Sequence, residues 1–373
     1  MTAVELTASQ ALALRLRSLL LDGPSAGAGS RPATVAEVAT WMGAMQAQDL
    51  ASVLWSLGVR LPLARAEIEA ALERREALRT WPLRGTVHLV PSRDARWMVE
   101  LTGARALAGA AKRRSSLGIS ERTAERAVDV LGTALAGGGR LTRSQCLATL
   151  QAGGISVQGQ RGYHLLWYAC QTAVACIAAN VGAEQSFALL DEWAPNPHLP
   201  DREEALGTLA LRYVRGRGPT TVKDFAGWAG LTMADARRGV AVAGDALTAV
   251  PVEGVEMLLA AAALSRSVPS PDPDGVRVLP RFDEYLLGYK ERSLMLAPQH
   301  ANAIIPGRNG VFQPTVVLGG RVVGTWRRSR TAAHTRVTVH PLVPLGQRER
   351  QRTEDAFSRY AVYLDEPVDV SWS

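Results

Sequence analysis

The chain has 373 residues, 47% hydrophobic and 21% charged, with a formal net charge of +7. That length allows a sizeable core and two or three domains. No uncharged apolar run reaches the roughly 18 residues of a membrane helix, and Cys146, Cys170 and Cys176 are too few and too irregularly spaced for a disulfide framework or a zinc site.

The start, MTAVELTASQALALRL, has no basic segment ahead of an apolar run, so no signal peptide is expected and the protein is placed in the cytoplasm. The next residues, TASQALALRLRSLLL, carry apolar positions at helical spacing, with Thr7 or Ser9 as caps. A Gly/Ser/Pro loop is expected from Gly23 to Pro32. TVAEVATWMGAM, DLASVLWSLGVRL and EIEAALERREAL then read as three helices. RTWPLRGTVHLVP follows as two short strands divided at Arg84–Gly85, with Val87 and Leu89 alternating against Thr86 and His88.

Three helices and then a hairpin is the order of a winged helix. The order recurs loosely. RLTRSQCLATLQAGGI opens a second pass, capped by Thr142 and ending at Gly153–Gly154. GPTTVKDFAGWAGLTMADARRGVAVAG opens a third: Thr220 or Thr221 caps one helix, Leu231–Thr232 turns, and Met233–Val242 forms the next. LTAVPVEGVEMLL supplies its wing. Pro269, Pro271 and Pro273 end the helical part. Beyond them, two β-rich runs meet at Gly319–Gly320, TRVTVHPLV reads as a further strand, and RQRTEDAFSRYAVYL as a closing helix.

The fold class expected is therefore α+β, mainly α. Winged-helix modules are placed at residues 1–110, 111–200 and 201–268, with a small β-rich domain at 275–373.

Of the 42 basic residues only Lys112, Lys223 and Lys290 are lysines. Such an arginine surplus accompanies a GC-rich genome, and it also suits a polyanion. The clusters, Arg113–Arg114, Arg215 and Arg217 with their glycines, Arg237–Arg238, and Arg321, Arg327, Arg328 and Arg330, favour nucleic acid, because glycine beside arginine admits a close phosphate.

One stretch stands out chemically: MQAQDL, Met45 to Leu50. On a helix, residues two apart diverge by about 200°; in extended backbone they share a face. Asp49 is a good cap for the following helix. Gln46-Ala47-Gln48 therefore falls in an extended turn where both carboxamides can point one way. Turn glutamines bonded to backbone are the alternative.

With these residues in view, the chain resembles the bacterial winged-helix DNA glycosylases of the AlkZ and YcaQ type. QAQ followed by an acid and WSL, RTWPLRGTVHLVP, LPRFDEYLLGYKERS and NGVFQPTVVLGGRVVGTWRR occur in the family's order, over about residues 8 to 370. The resemblance implies three winged-helix modules and a C-terminal β-domain forming a concave DNA-binding cradle. Its Gln-apolar-Gln motif, matched by Gln46 and Gln48, marks the AlkZ-like branch. It implies a monofunctional glycosylase for cationic N7-alkylguanine in double-stranded DNA, the unhooking of interstrand crosslinks, and repair or self-resistance to an alkylating natural product.

Gln46 and Gln48 are thus the expected catalytic residues. Asp49, Arg84, Thr86 and His88 are further candidates for lining the site, His88 having the alternative of a hydrogen-bonded structural role. Arg113, Arg114, Arg215, Arg217, Arg321, Arg327 and Arg328 are the candidate DNA contacts. Asp283 and Glu284 in RFDEY form an acid pair that could orient Arg281 or Lys290. No metal spacing and no phosphate-binding glycine motif is found, so no cofactor is expected. Three modules in one chain favour a monomer. The competing class is a non-enzymatic winged-helix regulator or lesion-binding protein.

Overall fold

The computed structural model describes residues 5–23, 31–264, 272–330 and 334–373. The glycine-rich loop at 24–30 and the breaks at Pro269 and Pro271 lie outside the described residues. No helix among the described residues is long and apolar enough to cross a membrane.

Local chemistry sets the helix starts. Thr7, Thr34, Thr142 and Thr221 each accept from the third backbone N–H of the helix they open, at Ala8–Ser18, Val35–Met42, Arg143–Ala152 and Val222–Ala229. In each of the four a Gln, Glu or Asp at that third position returns a bond to the cap. Gly230, at φ +72, closes Val222–Ala229 in the left-handed conformation that glycine adopts freely. Thr232 then caps Met233–Ala243. Four long helices, Ala95–Gly109, Glu121–Leu135, Arg161–Gln171 and Arg202–Arg217, fill stretches to which the sequence reading assigned no element.

Thirteen strands are described: β1 (Met45–Gln46), β2 (Ala77–Leu83), β3 (Thr86–Pro91), β4 (Arg140–Thr142), β5 (Ala175–Val181), β6 (Glu184–Leu189), β7 (Leu247–Val252), β8 (Val255–Ala260), β9 (Val276–Leu279), β10 (Thr315–Leu318), β11 (Arg321–Arg330), β12 (Thr335–Pro341) and β13 (Val368–Trp372). The first six form one sheet in the order β1-β3-β2-β5-β6-β4. Its two hairpins, β2–β3 and β5–β6, are joined edge to edge at the Arg79–Ile177 pair. The hairpin expected as the wing of the first module therefore shares a sheet with a second hairpin that the sequence pattern did not announce. β7 and β8 form a separate two-stranded ribbon, with single bridges from Leu6 to Val252 and from Thr220 to Leu258.

The C-terminal sheet runs β13-β12-β11-β10-β9. Its hairpin turns at Gly319 and Gly320, with φ +56 and +81. The helix Gln347–Leu364 separates β12 from β13, which is why those two strands run parallel. Phe357 and Tyr360 from this helix pack edge-on against Trp326, and Trp55 lies 4.7 Å and 4.8 Å from the rings of Tyr360 and Tyr363. One continuous core thus runs from the N-terminal helices, through Trp55, into the C-terminal sheet.

Candidate active site

The helix Val35–Met42 ends at Gly43, whose φ is +73 and where a Cβ would lie 3.3 Å from Arg212 Cβ, leaving little room for a side chain. The chain then extends along the free edge of β3, with Met45 opposite Leu89 and Gln46 opposite His88. The Ala47 N–H continues the ladder to the Val87 carbonyl at 2.9 Å. Extended backbone sends Met45 and Ala47 into the core, each 1% exposed, and turns Gln46 and Gln48 outward. Asp49 ends the run by accepting from the Ser52 N–H at 3.0 Å, capping Leu50–Arg60 as expected.

Both carboxamides are also tied to backbone. The Gln48 N–H donates to Gln46 Oε1 at 3.1 Å, and the Val87 N–H donates to Gln48 Oε1 at 3.3 Å. A backbone N–H only donates, so in each case the bonded atom is the carboxamide oxygen. Each oxygen keeps a second lone pair. Gln46 is half-buried, whereas Gln48 is exposed and lines a cavity of ≈830 Å³.

The turn is held from beneath by a buried ion pair. Glu284 Oε1 accepts the Gln46 N–H at 3.0 Å, while Oε2 accepts Arg217 Nη2 at 2.6 Å and Trp228 Nε1 at 3.0 Å. Arg217 in turn donates to the Met42 and Ala44 carbonyls, both at 2.8 Å. Its neighbour Asp283 takes two guanidinium bonds from Arg60, at 2.8 and 3.0 Å, and the Ser56 hydroxyl at 2.6 Å. Burial alone would raise the Asp283 pKa, but the Arg60 charge and these bonds hold it below the ordinary value. The acid pair of RFDEY therefore serves Arg60 and Arg217, in place of the Arg281 and Lys290 anticipated from sequence.

The cavity beside Gln48 has walls from two parts of the chain. Asp49, Leu54 and Leu72 come from the N-terminal helices; Arg79 comes from β2 and Asn180 from β5. Among its lining residues Arg65 pairs with Glu69 at 2.9 Å, and Glu73 accepts from Arg140 at 2.7 Å. Asp49 Oδ2 faces Arg281 at 3.9 Å. Arg79 went unnoticed in the sequence. Its burial could not be read locally: β2 is buried along its whole length only because β5 covers its other edge, and an arginine amid such a strand needs a reason.

His88 is fully buried, with Nδ1 against the Thr86 carbonyl at 2.8 Å. Burial, then the charges of Arg84 and Arg217, push its pKa down to about 3, so the ring is neutral. The carbonyl partner makes Nδ1 the protonated nitrogen and leaves Nε2 an unpartnered acceptor. The Thr86 hydroxyl is turned to the Leu83 carbonyl at 3.2 Å. Arg84, at φ +54 in the hairpin turn, reaches the Trp228 carbonyl and borders a separate cavity of ≈480 Å³. None of His88, Thr86 and Arg84 is part of the wall around Gln48.

Among the arginines, Arg217 is a correction. It is wholly buried in the Glu284 pair and cannot reach a phosphate. The adjoining glycines admit protein backbone: a Cβ on Gly216 would lie 3.2 Å from the Trp41 carbonyl oxygen, and one on Gly218 2.7 Å from that of Val214. Arg215 is largely spent as well, stacked 4.8 Å over Trp41 and bonded to the Thr40 carbonyl at 2.9 Å. Arg113 is exposed and bonded to Gln160, while Arg114 pairs with Glu121 over the Tyr168 ring. Arg321, Arg327 and Arg328 are exposed on β11, Arg328 donating to the Tyr360 hydroxyl at 3.2 Å.

Comparison with known proteins bears on this arrangement. The family model for AlkZ-like DNA glycosylases matches residues 29–363. Over 267 residues the chain is 29% identical to the interstrand DNA cross-link repair glycosylase of Streptomyces sahachiroi, spanning 67% of this chain and 70% of that protein. The solved structure of the Streptomyces sahachiroi DNA glycosylase AlkZ shares the fold, with a TM-score of 0.82 at 22% identity, covering 99% of this chain and all of that one.

Proposed function

The chain belongs to the AlkZ-like DNA glycosylase family, and from that membership we propose that it hydrolyses the N-glycosidic bond of cationic N7-alkylguanine in double-stranded DNA, acting as a monomer with Gln46 and Gln48 as its catalytic residues. The observation that carries this reading is the fixed Gln46–Gln48 turn, with Gln48 and Asp49 on the wall of a large cavity.

The chemistry follows from the residue type. An N7-alkylated guanine carries a positive charge and leaves without being protonated. What the protein must supply is a placed water and stabilisation of an oxocarbenium-like sugar. A carboxamide oxygen whose first lone pair is pinned by a backbone N–H presents its second lone pair at a fixed angle. It holds a water, and its dipole favours nearby positive charge. Asp49, with one oxygen spent on its helix, adds a negative field from the same wall. His88 takes no part as a base, since its free nitrogen is buried.

Interstrand crosslinks are a substrate in the same reading. The Streptomyces relative is named for their repair, and a base tethered to the opposite strand cannot be fully extruded. An exposed Gln48 on an interhelix turn suits attack without complete flipping. Self-resistance to an alkylating natural product would be the biological setting.

The test is release of free 7-methylguanine from methylated duplex. Gln46→Ala with Gln48→Ala should still bind DNA and release the base at least a hundredfold more slowly. Undiminished release by the double variant would remove the two glutamines from the mechanism.

A further inference from the structure

Arg79 is 7% exposed, in a strand buried along its length, yet it has no carboxylate partner among the described residues. Its Nη2 donates to Asn180 Oδ1 at 2.6 Å. The other deeply buried guanidinium groups near the site are matched: Arg60 by Asp283 and Arg217 by Glu284. A buried cation without an anion is costly, and an anion brought by a ligand would offset that cost. Burial draws the Arg79 pKa down to about 10, which still leaves it charged at neutral pH.

The surroundings indicate where such an anion would sit. Arg79 and Asn180 line the same cavity as Gln48 and Asp49. Because Asn180 accepts through its oxygen, its NH₂ remains a donor. Nε and Nη1 of Arg79 have no protein acceptor among the described residues. Two neighbouring side chains thus offer N–H groups to one space.

We propose that Arg79 and Asn180 form a subsite for one backbone phosphate of the DNA strand, which anchors the nucleotide presented to Gln48. This rests on the reading of the chain as acting on DNA. Charge selects the phosphate over the base. A cationic nucleobase is repelled by Arg79 and belongs at the Gln48–Asp49 end, and the negative charge on the same nucleotide is its phosphate. The position of Arg79, at the pair joining β2 to β5, also explains why the cavity needs both hairpins: the guanidinium comes from one and the carboxamide from the other.

The experiment is DNA binding to a lesion-bearing duplex by fluorescence anisotropy across a potassium chloride series, with base release measured in parallel. Arg79→Met should raise Kd about tenfold and lower the slope of log Kd against log salt by about 0.9, the loss of one phosphate contact. Asn180→Asp hands Arg79 a carboxylate inside the protein. It should leave Tm unchanged or raised while weakening DNA binding to a similar degree, which a purely structural role would not do. A single neutral methylphosphonate beside the lesion should weaken the wild type and add nothing to the loss in Arg79→Met. Wild-type affinity and slope in Asn180→Asp would overturn the proposal, even if Arg79→Met failed to fold. Absence of base release by the wild type would instead overturn the glycosylase reading, and the salt slopes would still decide whether Arg79 meets a phosphate.

Discussion

Glu284→Gln is the most demanding perturbation of the site, because it keeps the shape of the side chain and removes its charge. The carboxylate accepts from the Gln46 N–H, from Nε and Nη2 of Arg217 and from the Trp228 indole. Both members of the pair are buried, at 1% and 0% side-chain exposure. A carboxamide has one accepting oxygen for donors arriving from two sides. If that oxygen stays with Arg217 and Trp228, its NH₂ meets the Gln46 N–H, donor against donor. Removing one partner of a buried pair costs about 3–5 kcal/mol, a large share of a total stability of about 5–15 kcal/mol. Urea unfolding should register that loss, and base release should fall with it as β1 is freed. Arg217→Met added to Glu284→Gln removes the stranded cation and should recover at least half of the stability. Activity should stay low, because the Met42 and Ala44 carbonyls have also lost their donor. A Glu284→Gln loss under about 1 kcal/mol, or full activity in the double variant, would refute the view that this pair positions the Gln46–Gln48 turn.

His88 is neutral when folded, with its pKa held near 3 against an ordinary 6.5. Below about pH 6.5 the unfolded chain gains a proton that the folded ring refuses, so this contribution is complete above 6.5. It declines by at most about 1.4 kcal/mol per pH unit down to about pH 3. His88→Asn should flatten the stability profile over that window, and an unchanged acid slope would disprove the assignment. On β11, Arg321→Ala and Arg327→Ala should each lower the salt slope of DNA binding by about 0.9 if each meets a phosphate; slopes equal to wild type would place that strand face away from DNA.

What could be read in the sequence was local. Thr34, Asp49, Thr142 and Thr221 act on N–H groups within three residues, so cap and pattern occur together in the chain. Gly319–Gly320 marks its own turn. Features that depend on distant partners were hidden. Nothing near Arg217 announces Glu284, 67 residues away, and the Arg-Gly spacing that resembled a phosphate grip is the end of a buried helix. The joining of β2 to β5 depends on a pair 98 positions apart in numbering, at Arg79 and Ile177. The cavity built across that join was equally invisible, and Arg79 and Asn180 with it.

The two glutamines, alike in sequence, are unequal in structure, and this yields the sharpest expectation for the motif. Gln46 is half-buried and uses its oxygen to fix the Gln48 backbone; it does not border the cavity. Gln48 is exposed, borders the cavity, and is steadied by Val87. Gln46→Glu keeps an acceptor for the Gln48 N–H and should retain most activity, whereas Gln46→Leu should lose it through a misplaced turn. Gln48→Leu should abolish the step while leaving the Gln46 contact in place. Gln48→Glu introduces a group that titrates where the wild type has none. The wild-type rate should be flat across about pH 6 to 9, since carboxamides do not ionise. The variant should gain a rising acid limb around a carboxylate pKa of about 4–5 and act as a general base above it. Single-turnover release of 7-methylguanine across pH would measure this. Identical pH profiles for Gln48→Glu and wild type would mean that the position does not face the reacting water, and Gln48 would lose its catalytic assignment.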